Sequence, residues 1–262
     1  MTRLVRSIAV LVGALIAASA ASAASAASAA AASLSADEVI ANCVRARGGK
    51  EHLSAIASLE RHGRLIVPGF NGQLDVRDLK TRSGEYRQEV TLQGMMQVQA
   101  YDGHQAWQVQ PFQGRKDPSL MSADEAKGLA LAADIELPFV EYRRKGHTVE
   151  YLGLEDIDGT AAHKLRVALK TGNESTFWID PDSWMVIREL DRQTVRGAEQ
   201  VTETDYGEYE EVAGVYVPMS EAQGPKDSDA AQKQKIVYEK ALANVNPTAA
   251  EFALPAAPAV QK

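Results

Sequence analysis

The sequence predicts a mainly antiparallel β protein with helices, an α+β arrangement in which a helical segment separates two blocks of strands. Three observations carry that expectation. From Leu59 to Gln110, and again from Thr148 to about Ala243, β-branched and aromatic residues are punctuated by turn dipeptides at intervals of roughly ten residues. Within the second block His163 to Lys170 alternates, with Leu165, Val167 and Leu169 on one side and Lys164, Arg166 and Lys170 on the other. That period belongs to a strand with one covered face and one wet face. Between the blocks, Ser122-Ala123-Asp124-Glu125 has the form of a capping box ahead of an apolar run, which announces a helix.

Taken in order, the chain begins with Arg3 and Arg6, an uncharged apolar run from Ile8 to Ala18, and overlapping Ala-Ser-Ala triplets from Ala18 onward. These are the three regions of a secretory signal peptide, assigned to residues 1–32 with cleavage between Ala20 and Ala32. The run falls short of the roughly 20 residues that a membrane-crossing helix needs, so export is expected rather than anchoring. Ser35-Ala36-Asp37-Glu38 is a first capping box, with Leu34 and Val39 placed as a hydrophobic staple. Its helix is expected to run to about Arg47 and stop at Gly48-Gly49, followed by a short helix over Lys50 to Ala57. Five strands joined by hairpins follow, with turns at Pro68-Gly69, Asn71-Gly72, Ser83-Gly84, Gln93-Gly94 and Asp102-Gly103. Short connections make sequence neighbours spatial neighbours, which gives a meander.

Pro111 to Pro118 is expected to break the sheet. Leu129, Leu131, Ile135, Leu137, Phe139 and Val140 then form the longest helical apolar pattern, which Pro138 divides into two helices. Such an insert has to pack on a sheet face. Later turns fall at Asp158-Gly159, Thr171-Gly172, Asp180-Pro181-Asp182, Gly197 and Ala213-Gly214. Residues 248–262 read as a flexible tail rich in Ala and Pro.

Composition excludes several function classes. The formal charge is −7, and removal of Arg3 and Arg6 makes it more acidic by two, so nucleic acid and anionic surfaces are not expected partners. Cys43 is the only cysteine, which rules out an internal disulfide, and at helical spacing it lies beside Val39 as a small buried residue. His52, His62, His104, His147 and His163 never stand at metal-ligand spacing, and no metal or cofactor is expected. No nucleophile elbow, zinc-protease motif, phosphate loop or dinucleotide fingerprint is present, so no catalytic residue is assigned. Asp156-Ile157-Asp158-Gly159 starts like a calcium loop, lacks the later ligands, and reads as a hairpin turn. Aromatic and methionine residues in or beside strands are either core or the wall of a cavity; for the second reading Trp107, Phe112, Leu129, Leu131, Phe139, Trp178 and Met185 are the candidates.

Residues 33–247 read as one domain, and a run of landmarks lies within it. They are Ala46-Arg47-Gly48-Gly49-Lys50 after the first helix, Tyr101-Asp102-Gly103 with Trp107, Ile135 to Gly146, Ile179-Asp180-Pro181, and Gly214-Val215-Tyr216-Val217-Pro218. In order and spacing they resemble the bacterial outer-membrane lipoprotein-sorting proteins with a LolA-like or LolB-like half-barrel. The resemblance implies a curved antiparallel sheet of about eleven strands, a helical lid and a concave face that receives acyl chains in the periplasm. It implies a carrier and not an enzyme. The leading expectation is therefore a periplasmic carrier of a lipid, an acylated lipoprotein or another apolar ligand, gated by Met121 to Phe139 between Pro118 and Pro138. The alternatives are an envelope regulatory or scaffold module that binds a protein partner, and an exported hydrolase with a site assembled from unlinked residues.

Overall fold

The computed structural model describes residues 34–255, so the expected signal peptide lies outside the described residues, as does the end of the expected tail. Helix α1 (Ala36–Ala46) starts at the predicted capping box: Ser35 accepts from the Glu38 amide, and the Glu38 carboxylate takes the Ser35 amide at 2.8 Å. It ends at Arg47, and Gly48 and Gly49 take the left-handed conformation that turns the chain into α2 (Gly49–Ala55).

The first block supplies β1 (Ser58–Ile66), β2 (Leu74–Thr81), β3 (Tyr86–Leu92), β4 (Met95–Tyr101), β5 (Ala106–Gln110) and β6 (Arg115–Leu120). The first five are the predicted strands. The sixth corrects the expectation that Pro111 to Pro118 breaks the sheet: only Pro111–Gln113 leaves it, as one 3-10 turn, and Pro118 sits within the edge strand, where its missing N–H interrupts no ladder. Helix α3 (Ala123–Ala132) starts at the second predicted capping box. It ends at Ala132, well before Pro138, which corrects the expected helical run to Val140: Ile135, Leu137, Phe139 and Val140 lie in an irregular stretch, with Leu137 and Glu141 at positive φ, that leads to α4 (Tyr142–Lys145). The second block supplies β7 (Thr148–Ile157), β8 (Thr160–Ala168), β9 (Glu174–Ile179), β10 (Val186–Val195), β11 (Ala198–Val212), β12 (Val215–Pro225) and β13 (Gln234–Ala243). At Asp158-Gly159 both residues have positive φ, the geometry whose twist matches the flanking strands.

All thirteen strands join one curved, open, antiparallel sheet in the order β6-β5-β4-β3-β2-β1-β13-β12-β11-β10-β9-β8-β7. Each block is a meander, and the pairing of β1 with β13 welds them at the centre. Near one end of the concave face, α1 with Phe139 and Val140 covers Leu165, Val167, Phe177, Ile179 and Val186. Helix α2 covers Leu59, Val76, Val215, Val217 and Met219. Helix α3 touches β3, β4 and β5 on one wing and β10 on the other, so it spans the trough.

The tail expectation also needs correction. Residues 249–252 form α5 (Ala249–Phe252), Phe252 is buried, and its carbonyl accepts from the Trp107 indole N–H at 2.7 Å. The chain thus returns across the outer face of β5 before residue 255.

Candidate functional site

Beneath α3, between the wings, lies a cavity of about 670 Å³, inside the roughly 300–1,000 Å³ range of small-molecule sites. Its walls follow from strand parity. One register row across the first block reads Arg61, Asp78, Gln88, Gln99 and Gln108, all pointing inward. In the second block Glu189, Thr204, Gln223 and Gln234 form another inward row. The helix contributes the contrasting surface, with Met121, Leu129 and Leu131 facing the cavity and Leu137 beside them.

The floor holds two ionisable clusters. On the β1–β3 side, the buried Arg61 guanidinium grips Asp78 through two bonds of 3.1 and 3.3 Å and donates to Glu221 at 2.6 Å. It also lies 3.8 Å from the Tyr238 ring centre. Tyr86 donates to Asp78 at 3.1 Å. Burial works to raise Asp78, but the charges of Arg61 and Lys80 and the hydrogen bonds of Arg61 and Tyr86 hold its carboxyl below the ordinary value. Lys80 lines the cavity and its ammonium has no hydrogen-bond or ion-pair partner among the described residues. Burial pulls the Lys80 ammonium below its usual value, with Asp78 opposing.

On the β10–β11 side, Glu189 and Asp191 stand two residues apart on the inward face of β10 and both line the cavity. Tyr206 donates to Glu189, and Ser175 donates to Asp191 at 2.5 Å. Burial, reinforced by the charge of Asp191, raises Glu189 well above the carboxylate range, and burial also raises Asp191 against the hydrogen bond from Ser175. The pair therefore holds a proton that isolated carboxylates would release.

Of the residues predicted for a cavity, the structure brings Leu129 and Leu131 to it and sends the others elsewhere. Trp107 and Trp178 stand on the outer face, Trp107 with Val98 and Ala100, and Trp178 with Ala162 and Leu190. Phe139 is core, edge-on to Phe177 at 5.0 Å. Phe112 is exposed on the turn after β5, and Met185 is half-buried after the β9–β10 turn. The expected greasy wall is instead largely polar, and the residues that make it so were missed. Their sequence signal is polar residues alternating with apolar ones in Asp78 to Lys80 and Glu189 to Asp191. That alternation fixes two faces without saying which one is concave.

No family model and no curated protein matches this sequence. Solved structures do match in shape. A LolA superfamily protein from Nitrosomonas europaea superposes with a TM-score of 0.55 at 12% identity, over 84% of this chain and 98% of that one. The fold is LolA-like. A DUF1329 family protein from Desulfovibrio piger gives 0.54 at 9% identity, over 83% and 97%. A domain described as an outer membrane lipoprotein-sorting protein from Vibrio parahaemolyticus gives 0.52 at 10% identity, over 83% and 97%. At these identities the LolA-like sheet is what is shared. No helix among the described residues is long and apolar enough to cross a membrane.

Proposed function

We propose that this chain is an exported carrier of the bacterial envelope that holds an amphipathic ligand, a lipid or an acylated molecule. Its polar head rests on the charged floor and its hydrocarbon lies along α3. The observation that carries this reading is the cavity itself: a covered trough whose roof is Leu129, Leu131 and Met121 and whose floor is ionic. The polar floor replaces the apolar cavity that was expected and favours a ligand with a polar head, because hydrocarbon laid on Lys80, Gln99 and Gln108 would desolvate them without replacing their water. Burial of the chain under α3 supplies about 0.8 kcal/mol per methylene.

A partner protein adding a strand is less well supported. Both edges of the sheet are blunted, β6 by Pro118 and β7 by the irregularity between Tyr151 and Leu154, where Gly153 has a φ of 89°. Native mass spectrometry of the protein purified from an envelope fraction, with extraction and identification of what it carries, tests the carrier reading. A retained amphiphile of defined mass is expected. A protein that stays empty when offered envelope lipids overturns the reading.

A further inference from the structure

Three ionisable side chains on the cavity floor, Lys80, Glu189 and Asp191, lack the oppositely charged contact that their neighbours have. Arg61 is in contact with both Asp78 and Glu221, which leaves that triad one negative charge over, and Lys145 is paired with Asp134 at 2.5 Å. Among the described residues Lys80 on β2 has no acidic partner within ion-pair distance, and neither Glu189 nor Asp191 on β10 has a basic one. Buried charge without a counter-charge is unfavourable, and a bound ligand is one way to supply what is missing. The cation without a contact partner stands on one wing, where Asp78 and Glu221 reach it only at a distance, and the acid pair stands on the other. Glu221 lies between them, acting electrostatically on both Lys80 and Glu189.

An independent observation shows that the same floor has unused hydrogen-bonding capacity. Gln108 is 9% exposed, lines the cavity, and its side-chain amide makes no hydrogen bond; the Gln110 side-chain oxygen is buried without a partner. Buried polar atoms are nearly always satisfied in folded chains, so the Gln110 oxygen awaits something that the described residues do not provide.

We infer that the cavity selects a zwitterionic ligand, holding its ammonium group against Asp191 and Glu189 and its anionic group against Lys80, with Gln99, Gln108 and Gln110 on the polar atoms between. This rests on the proposed carrier reading for the hydrocarbon part of the ligand, and the charge pattern stands apart from it. The shared chemistry is an ammonium joined to a phosphate or carboxylate. It could arrive as a lipid headgroup or as a free small molecule.

The test uses the full mature chain, purified, delipidated and titrated with four probes: phosphatidylethanolamine, its N-acetylated form, phosphatidylglycerol with the same acyl chains, and soluble glycerophosphoethanolamine. Phosphatidylethanolamine is expected to bind about tenfold more tightly than phosphatidylglycerol, the scale of one charge-assisted hydrogen bond. N-acetylation, which leaves the protein untouched, should erase that preference. Asp191→Asn should erase it too, by weakening phosphatidylethanolamine alone, while Lys80→Met should weaken both phospholipids. Equal binding of the two phospholipids overturns the inference and leaves the carrier reading in place. So does a preference that survives both N-acetylation and Asp191→Asn. Binding of glycerophosphoethanolamine without either lipid upholds the inference and overturns the carrier. No binding by any probe overturns both.

Discussion

Arg61 is the residue on which the floor is most directly built. It satisfies Asp78 and Glu221, donates to the Pro218 carbonyl at 3.0 Å, and stacks on Tyr238, all while nearly inaccessible. Arg61→Met strands two carboxylates in the interior and is expected to lower unfolding free energy by about 3–5 kcal/mol in urea titrations. The acid pair has the opposite sign. Between the ordinary carboxylate value and the raised one of Glu189, the folded chain binds a proton that the unfolded chain has released, so stability falls as pH rises through that window. Asp78 contributes stability above its unfolded value, which is lost as pH falls through its lowered folded one. Glu189→Gln keeps an acceptor for Tyr206 and gives Asp191 a donor. Among the groups facing it, Asp191, Tyr206, Glu221 and Ser175, it removes only the repulsion. Thermal unfolding should therefore show the variant more stable than the parent at pH 8, with the difference disappearing as pH falls to the ordinary carboxylate range.

Elements show what was legible in the sequence and why the rest was not. Helix starts were readable because a capping box is a local, reciprocal hydrogen-bond pattern, and both boxes formed at Ser35 and Ser122. Hairpins were readable because their turns need particular backbone angles. What stayed hidden was non-local. Trp107 and Val109 alternate with Gln108 and Gln110, and the usual assumption puts the aromatic inside. Here the C-terminal segment covers the outer face, so the apolar side of β5 faces out and the amides face the cavity. Nothing near Trp107 in sequence announces Phe252. Phe252→Ala should therefore destabilise the chain by about 3–5 kcal/mol, with a red shift in tryptophan emission as Trp107 becomes wet. An unchanged spectrum would mean that α5 is not the cover. Gly48 is a second non-local constraint: its φ is 113°, and a Cβ there would lie 1.9 Å from the Gly214 carbonyl oxygen. Gly48→Ala forces the α1–α2 corner off the β11–β12 turn and should lower stability by about 1–3 kcal/mol from backbone strain alone, read in the same urea titration.

On the scale of the whole molecule, the cover is fastened unequally. Toward β3–β5, α3 is held by apolar packing of Leu129 and Ala133 with Tyr86 and Ala106. Toward the other wing the named tie is Glu125 to Arg196 at 3.1 Å, and the Arg196 side chain is largely exposed. An exposed ion pair contributes only about 0–1 kcal/mol, whereas each buried aliphatic side chain contributes about 1.5–3. Opening should therefore start at the β10–β11 turn, with α3 staying on the first wing. The sequence expectation that the whole stretch from Met121 to Phe139 swings is too broad, since Phe139 is locked in the α1 core and fixes the far end. Cysteines placed at Glu125 and Arg196 and joined by a short bifunctional thiol reagent should block both loading and release of the amphiphile, and a cleavable linker should restore them on cleavage. The native thiol does not interfere, because burial pushes Cys43 up to about 11. Arg196→Ala, which weakens the same tie without fastening anything, should speed exchange and leave thermal stability nearly unchanged. Exchange that proceeds at the parent rate through the fastened protein would show that the ligand does not pass the β10–β11 side.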